Sequence, residues 1–288
     1  DGLHAIGMSG VGTCTDGGAT SLSSMNGLIA MGSPTAGGGC TATRYGNLSV
    51  ISMVEDTAYL YRNASDWGGF INKLKYSSGV VARNDFSSSS TWVAYDNIAI
   101  VSNDINDVAM TVLPNAPIDA DTGLPVPTIA VATNGGVSVI TDSGAVYDSA
   151  YTEAIRDIAF DGDNTLFYVR NASSYLLLMA EPSEYASGDG FGTGIASSGV
   201  GGQEFDLISA RSQTTMAFSK GFVASGGVSS TAGSRLLGLY DIDKSNLTNT
   251  MAAGIHYDYN TGWMHGDIKL ATLSDTDTTN ATESEFVA

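Results

Sequence analysis

The segment at residues 127–181 constrains the fold of this chain more than any other. It consists of short runs of β-branched, aliphatic and aromatic residues, and each run ends in Gly, Asn, Asp or Ser. Such runs predict antiparallel strands joined by tight turns. The predicted strands of this segment are residues 128–133, 137–140, 145–147, 155–160, 166–169 and 175–179.

The same pattern continues on both sides of this segment, so it predicts an all-β fold. Residues 1–40 read as a loop-rich stretch with one hairpin, residues 114–127 as a proline-rich loop and residues 183–203 as a Gly-Ser loop. No amphipathic helix of three turns is predicted. The further predicted strands are residues 48–53, 58–61, 92–95, 98–101, 108–113, 205–208, 215–218, 222–224 and 236–240.

Two internal echoes indicate a repeated unit. Residues 56–65 resemble residues 164–173, and both end in Arg-Asn-Ala-Ser, while residues 20–32 resemble residues 214–226. The better marked units recur at a spacing of roughly fifty residues, and such repeats with several strands each are typical of propeller blades. We therefore expect a β-propeller of six or seven short antiparallel blades, with a β-sandwich as the alternative.

The blade pattern divides the chain into three parts. Residues 1–46 form a loop-rich N-terminal segment that belongs to the first blade, and residues 47–273 form the propeller. Residues 274–288 are acidic and rich in Thr, which is typical of a linker to a further region. The abrupt start at Asp1 indicates a segment of a longer polypeptide or a processed product.

The charge balance excludes some classes of partner. There are 30 acidic and 12 basic residues, which gives a net charge of −18. A surface this acidic repels a phosphate backbone and an anionic membrane. The longest apolar run is also too short to span a bilayer. The simpler interpretation of the charge is that it keeps the protein soluble in a salty medium. The more specific interpretation is that the acidic residues bind cations.

No catalytic motif is present in the sequence, so we expect that the chain is not an enzyme. His4, His256 and His265 are not in a metal-ligand spacing, and no GxSxG elbow occurs. The Gly-rich run at residues 188–194 lacks the Lys-Ser/Thr of a phosphate-binding loop. Cys14 and Cys40 fit either a disulfide or two buried thiols, and both interpretations stay open.

Calcium is the one ion for which the sequence offers ligands. Three turns place oxygen ligands at alternate positions, but none has the closing bidentate Glu of a full calcium loop. Asp and Asn also occupy turns for backbone reasons alone, and this interpretation is favoured. We therefore assign no metal site and expect no cofactor. The three turns contain Asp119/Asp121, Asp161/Asp163/Asn164 and Asp241/Asp243/Asn246.

Exposed aromatic side chains are a second candidate for ligand binding. Trp67, Trp92 and Trp263, together with several of the 13 tyrosines, fit stacking on sugar rings. They fit packing between blades equally by composition, and packing is the favoured interpretation.

Three runs resemble a known group of proteins. Residues 127–140, from Pro-Thr-Ile-Ala-Val-Ala to Val-Ser-Val-Ile, and residues 157–161 are similar to repeats of large virion proteins of marine tailed bacteriophages. Residues 262–277 resemble the junction between propeller and lectin in that group. The resemblance covers about residues 47–279. A concanavalin-like lectin module typically follows such a junction, but none follows within these 288 residues.

The resemblance implies a function that involves no catalysis. It implies a virion structural protein whose propeller serves in particle or tail-fibre assembly, or in attachment to the host surface. The implied partners are other virion proteins, copies of the same chain and host-surface glycans, and the implied location is the virion or the extracellular medium. The alternatives are a secreted or virion-borne propeller enzyme that degrades glycans, and a bacterial extracellular adhesin or filament subunit.

Overall fold

The computed structural model describes thirteen stretches of the chain, which are residues 19–33, 48–55, 57–61, 63, 73–76, 92–96, 98–170, 177–194, 212–219, 222–228, 235–245, 251–257 and 272–274. Strands account for most of these residues, and one short helix, α1 (Pro182–Tyr185), interrupts them. Among the described residues, no helix has the length and apolarity that crossing a membrane requires.

The described strands form four sheets. Six strands in chain order make up the first sheet, β1 (Ser21–Met25), β2 (Leu28–Gly32), β3 (Leu48–Ser52), β4 (Thr57–Tyr61), β5 (Lys73–Tyr76) and β6 (Trp92–Asp96). Four strands make up the second sheet, β7 (Ile105–Thr111), β8 (Thr128–Thr133), β9 (Gly136–Ile140) and β10 (Val146–Asp148).

The remaining strands form the third and fourth sheets. The third sheet contains β11 (Ile155–Phe160), β12 (Leu166–Arg170), β13 (Leu177–Ala180) and β14 (Thr193–Gly194). The fourth sheet contains β15 (Ser212–Ser219), β16 (Phe222–Val228), β17 (Arg235–Asp241), β18 (Met251–Tyr257) and β19 (Thr272–Ser274). In all four sheets each strand pairs antiparallel with the next strand of the chain, so the all-β prediction is confirmed.

Successive sheets meet through their first strands. Strand β1 contacts β7, β7 contacts β11, and β11 contacts β15. Because each sheet approaches the next with the same strand, the sheets are arranged radially, and the chain is a β-propeller. The described residues form four sheets, and the number of six or seven blades stays a prediction.

Strand β8 shows why the central strands are apolar on both faces. Ile129 and Val131 belong to the hydrophobic core shared with the first sheet. Ala130 and Ala132 belong to the core shared with the third sheet. Alternate residues of a strand point to opposite faces, so both faces of this sheet are buried. A sandwich would leave one face of each sheet in solvent, and the sandwich alternative is therefore wrong.

A pair of consecutive polar residues joins the first sheet to the second. The Thr20 hydroxyl donates a hydrogen bond to the carbonyl oxygen of Ile105, at 2.8 Å. The Ser21 hydroxyl oxygen accepts one from the backbone N–H of Val108, at 3.2 Å. Both bonds run from side chains of one sheet to the backbone of the next, which fixes the register between the two sheets.

The same pair recurs between the second and third sheets. The Asn106 amide donates to the carbonyl oxygen of Ile155, at 2.6 Å. Asp107 Oδ2 accepts from the N–H of Ile158, at 3.0 Å. Thr20–Ser21 and Asn106–Asp107 are therefore equivalent, and we call them polar pairs.

The second polar pair is located at a β-bulge, and the first strands of the third and fourth sheets have a bulge at a similar place. The pairing register shifts between Ile105 and Asp107, between Ile155 and Asp157, and between Gln213 and Thr215. A bulge inserts one unpaired residue and bends the strand, so it frees backbone groups next to it. In the second and third sheets, the polar pair of the preceding sheet bonds to these groups and helps to satisfy them in the interior.

Two predicted segments differ from the structure. Residues 98–101 are not a strand, although Ile100 is fully buried. The N–H of Val101 donates to the Ser138 hydroxyl, and its carbonyl oxygen accepts from the Asn63 amide. Side chains rather than a neighbouring strand thus satisfy this backbone, which the apolar pattern did not indicate.

The loop predicted at residues 183–203 contains α1 and β14. Pro182 is in the first turn of the helix, where its fixed φ is compatible with a helix and its missing N–H costs nothing. The Glu184 carboxylate accepts a hydrogen bond from the N–H of Glu181, at 2.9 Å. Tyr185 then buries its ring in edge-on contact with Phe160 and Phe191. The loop at residues 114–127 is confirmed, because no strand or helix begins within it.

One of the two internal sequence similarities corresponds to equivalent positions in the sheets, and the other does not. Residues 20–32 and 214–226 both cover the first two strands of their sheets, so this echo is confirmed as structural. Residues 56–65 and 164–173 are in different positions, because β4 is fourth in its sheet and β12 is second. A turn followed by an apolar run looks alike in any hairpin, whereas its position depends on neighbouring strands. Strands β5 and β18 were not predicted.

Gly192 adopts a backbone conformation that its neighbours in the core require. Its φ is +116°, which side chains of L-residues rarely adopt. A Cβ atom at this position would overlap the hydroxyl of Tyr168, which is fully buried. Among the described residues, that hydroxyl has no hydrogen-bond partner. Both backbone strain and core packing therefore require glycine here.

We predict that Asp107→Asn lowers the free energy of unfolding by about 1–3 kcal/mol, because an amide group replaces a charged acceptor of several hydrogen bonds. Asp107 also accepts from the Ser21 hydroxyl, at 2.5 Å. Chemical denaturation measures the change. Asp142→Asn, at a turn without such bonds among the described side chains, is the control and is expected to change stability by less than about 0.5 kcal/mol. Equal losses in both variants would contradict the role of the polar pair.

We predict that Gly192→Ala lowers the free energy of unfolding by about 2–5 kcal/mol, because it adds both backbone strain and steric overlap. Gly144→Ala is the matched control, because Gly144 also has a positive φ but open space around its Cβ position. Gly144→Ala is expected to lower the free energy of unfolding by about 1–2 kcal/mol, because it adds backbone strain alone. Adding Tyr168→Phe to Gly192→Ala removes the overlapping hydroxyl and should restore part of the loss. If the double variant is no more stable than Gly192→Ala, the overlap is not the cause.

Candidate functional site

The acidic turn at residues 161–164 forms ion pairs with Lys244, which lies in the turn after β17. Lys244 Nζ lies 2.5 Å from Asp161 Oδ2 and 3.2 Å from Asp163 Oδ2, and it donates to the Thr165 hydroxyl at 2.7 Å. Burial opposes the charged form, but the hydrogen bonds to Asp161 and Asp163 prevail and raise the pKa of Lys244. An ammonium group thus lies where the sequence allowed a calcium ion.

The third oxygen ligand predicted for this turn is also engaged. Asn164 Oδ1 accepts a hydrogen bond from the Thr111 hydroxyl, at 2.5 Å, and the Asn164 carbonyl oxygen accepts from the Tyr185 hydroxyl, at 2.7 Å. Asn164 has a φ of +66°, which Asn tolerates better than most residues. The turn therefore joins the second and third sheets, and the backbone interpretation of its sequence applies.

The turn at residues 241–246 caps itself. Asp243 Oδ1 accepts from both the N–H and the hydroxyl of Ser245, at 2.9 and 2.6 Å. Asp241 is exposed at the end of β17, and Asn246 is outside the described residues. These contacts are typical of an Asp-initiated turn rather than of a preformed cation site.

The third acidic turn gains a carboxylate from another part of the chain. Carboxylate oxygens of Glu55, Asp119 and Asp121 all lie within 4.8 Å of one another. Hydrogen bonds from the Thr122 backbone and side chain are the main cause that lowers the pKa of Asp119. Asp119 is therefore ionised at neutral pH, and three acidic groups converge at one point on the surface. Oxygen ligands of this kind suit a hard cation as well as a basic side chain.

Exposed apolar side chains surround this acidic group. Met53 and Val54 precede Glu55 in its turn and are 45% and 51% exposed. Ile118 and Leu124 flank the Asp119 turn and are 63% and 44% exposed. In the described part of the chain, these are four of the five large hydrophobic side chains that are exposed, so they are concentrated in one region.

A second pair of carboxyl groups is found between the second and third sheets. The Asp189 carboxylate accepts a hydrogen bond from the N–H of Asp148, at 2.8 Å. Burial, reinforced by the nearby charge of Asp189, raises the pKa of Asp148 although the Ser138 hydroxyl donates to it at 2.6 Å. A half-buried carboxyl group with a raised pKa is a feature that catalytic acids share with structural ones.

The side chains of the other residues singled out in the sequence are outside the described part of the structure. Cys14, Cys40, His4, His265, Trp67 and Trp263 are outside the described residues, and only the backbone of His256 and Trp92 is described, in β18 and β6. The Gly-rich run contributes the N–H of Gly190, which donates to the Asp148 carbonyl oxygen at 2.7 Å. This run therefore joins the end of the third sheet to β10 of the second sheet.

Sequence reasoning missed the residues that distinguish the acidic turns from one another. Glu55 and Lys244 are remote in sequence from the carboxylates that they contact, so no local motif could indicate them. One local signal was present, because Met53 and Val54 occupy a turn between two strands where polar residues are expected. An apolar turn on a highly charged protein indicates an exposed contact surface.

Comparisons with known proteins give limited information. No known protein family matches the sequence, and no curated protein matches it. The chain is similar to a solved structure described as YCF48 bound to D1 peptide, with 14% identity, a TM-score of 0.35 and coverage of 79% of this chain. It spans 65% of that chain, just under two thirds. A structure of Kluyveromyces lactis Hsv2p has 8% identity and a TM-score of 0.32, with coverage of 80% of this chain and 70% of that one.

These similarities assign no function to the chain. At such identities and TM-scores they carry no argument beyond the description of the solved structures themselves. The propeller architecture is established by the sheet order and packing of this chain, and its function is inferred from its own surface.

We predict that Lys244→Gln lowers the free energy of unfolding by about 0.5–1 kcal/mol at neutral pH, since Lys244 is only partly buried. The folded state retains the lysine proton to a higher pH than the unfolded state. The stabilisation is therefore complete below the ordinary lysine value of 10.5 and is lost as the pH rises through the higher folded-state pKa.

Denaturant unfolding of both proteins from pH 7 to the alkaline limit measures this difference. Asp163→Asn is the matched control, because it retains the closer contact with Asp161 and should lose less stability. A difference between Lys244→Gln and the parent protein that stays constant across the alkaline range would contradict an electrostatic role.

Proposed function

We propose that this chain is a non-enzymatic propeller module of a bacteriophage particle, which serves in particle or tail-fibre assembly or in attachment to the host surface. The proposal combines the sequence resemblance with one structural observation. The polar side chains at the joints between sheets are used to hold the sheets together. The propeller therefore acts as a rigid scaffold that presents surfaces to partners.

The joints between sheets carry this proposal. Ser21 and Asp107 accept hydrogen bonds from the backbone of the following sheet, and Lys244 neutralises the Asp161 and Asp163 carboxylates. These bonds and ion pairs give the side chains a structural role at the joints between sheets. A scaffold held by such bonds keeps its surface geometry when it binds, which lowers the entropic cost of association.

The charge of the chain limits its proposed partners. A net charge of −18 favours basic surfaces and disfavours nucleic acid. The partners that we propose are other virion proteins, copies of the same chain at less acidic surfaces, and glycans of the host surface. The proposed location is the virion, and hence the extracellular medium.

Glycan hydrolysis is a second candidate function, supported by the Asp148 and Asp189 carboxyl groups. Glycosidases use two carboxyl groups, and the acid of the pair has a raised pKa. Burial raises the pKa of Asp148 in this way. Against this candidate, Asp148 accepts from the Ser138 hydroxyl, which itself accepts from the N–H of Val101. This chain of hydrogen bonds is a structural role that a catalytic acid does not require.

We expect that mass spectrometry of gradient-purified phage particles from the source identifies peptides of this chain in a fixed ratio to the capsid protein. We also expect that the purified chain binds the surface polysaccharide of the host without releasing reducing ends. Asp148→Asn should bind the polysaccharide as well as the parent protein does, because this proposal assigns neither catalysis nor binding to Asp148.

Two outcomes would overturn the proposal. Absence of the chain from intact particles would exclude the virion role. Release of reducing ends by the parent protein, lost in Asp148→Asn but retained in the control variant Asp142→Asn, would establish the hydrolase instead.

A further inference from the structure

We infer that an exposed apolar and acidic surface of this chain docks a protein segment that combines apolar side chains with Lys or Arg. This inference goes beyond the proposed function and does not depend on a viral source, since it follows from the chemistry of the surface alone. We call this surface the acidic-apolar patch, and its residues are Met53, Val54, Glu55, Ile118, Asp121 and Leu124.

Three turns of the chain converge to form the patch. The N–H of Met53 donates to the Gly27 carbonyl oxygen, at 3.0 Å. The Asn26 amide donates to the Pro125 carbonyl oxygen, at 2.7 Å. A Cβ placed on Gly27 would lie 3.2 Å from a methyl group of Val54, so the turns are in contact. The first sheet and the loop after β7 therefore form one continuous surface.

The loop that carries Ile118 and Leu124 is held by its own hydrogen bonds. Asp119 Oδ1 accepts from the N–H groups of Asp121 and Thr122, at 3.0 and 2.7 Å. The N–H of Asp119 donates to the Leu124 carbonyl oxygen, at 2.9 Å, and Ile118 pairs with Pro125. The exposed side chains thus stand on a preformed backbone, which reduces the ordering cost when a partner binds.

The exposure of these side chains costs free energy in the isolated chain. Val54 and Ile118 are 51% and 63% exposed, and among the large apolar side chains that the structure describes outside the patch, Leu22 alone is classed as exposed. Covering one such side chain contributes about 1 kcal/mol or more, depending on the area removed from water. Met53 has an unbranched, flexible side chain that adapts to the shape of a partner. The apolar part of the patch therefore favours a partner with aliphatic or aromatic side chains.

Charge complementarity identifies the rest of the partner. The carboxylate oxygens of Glu55, Asp119 and Asp121 lie within 4.8 Å of one another beside the apolar side chains. A Lys or Arg placed next to an apolar residue would reach these carboxylates, and Arg can bind two oxygens at once. The same charges oppose docking of a second copy through this patch, because two acidic groups would then face each other in a chain of net charge −18.

The test uses two double variants that change the patch without removing Asp119, which holds the loop. Glu55→Gln with Asp121→Asn removes charge and keeps the side-chain shapes. Val54→Ser with Ile118→Ser removes apolar surface. The matched control is Leu22→Ser with Asp142→Asn, since Leu22 is 61% exposed and both residues are outside the patch. Thermal unfolding establishes that all variants fold like the parent protein.

Random short peptides displayed on a carrier are selected for binding to the immobilised full chain. We expect enriched peptides that combine Lys or Arg with Leu, Ile or Phe, and whose affinity falls with added salt. Affinity of the synthetic peptides should fall by about fivefold to tenfold for the charge variant and about tenfold or more for the apolar variant. The control variant should retain the parent affinity.

Three outcomes would overturn the inference. The first is enrichment of peptides without basic residues, or equal binding by all variants. The second is a concentration-dependent dimer of the parent protein that Val54→Ser with Ile118→Ser abolishes, which would make the patch a self-interface. The third is a rise in the melting temperature with calcium that the charge variant abolishes, together with loss of peptide binding in calcium, which would make it a cation site.

Discussion

A hydrogen bond from a side chain of one sheet to the backbone of the next is the contact on which this structure depends. Hydrophobic burial brings the sheets together, but it is non-directional and permits many registers. The polar pairs at Thr20–Ser21 and Asn106–Asp107 are directional, and each satisfies backbone groups beside a bulge of the following sheet. They set the positions of the first three sheets relative to one another.

The acidic residues of this chain serve two separate purposes. Inside the joints, Asp107 and Asp161 accept hydrogen bonds or an ion pair and stabilise the sheet array. On the surface, Glu55 and Asp121 remain exposed beside apolar side chains. The first set makes the scaffold rigid, and the second gives one part of its surface a defined chemistry. This division supports our proposal that the chain acts by recognition at a rigid surface.

Sequence reasoning predicted the strands well and their partners poorly. The apolar runs in residues 127–181 predicted β8, β9 and β12, because burial on both faces makes such strands conspicuous, and they also predicted β11, which is only partly buried. It misplaced residues 98–101, whose backbone bonds to the side chains of Ser138 and Asn63. It also treated the three acidic turns alike, since Lys244 and Glu55 come from distant parts of the chain. Local pattern indicates most of the strands, and the tertiary structure determines the remaining ones and what each turn contacts.

The unequal faces of β8 make each sheet specific for its place in the array. One face presents Ile129 and Val131, and the other presents Ala130 and Ala132 opposite larger residues of the third sheet. Exchanging two sheets would set small side chains against small ones and leave voids, which are costly in a packed interior. The second sheet therefore has two different packing faces, and each face matches only one of its two neighbours.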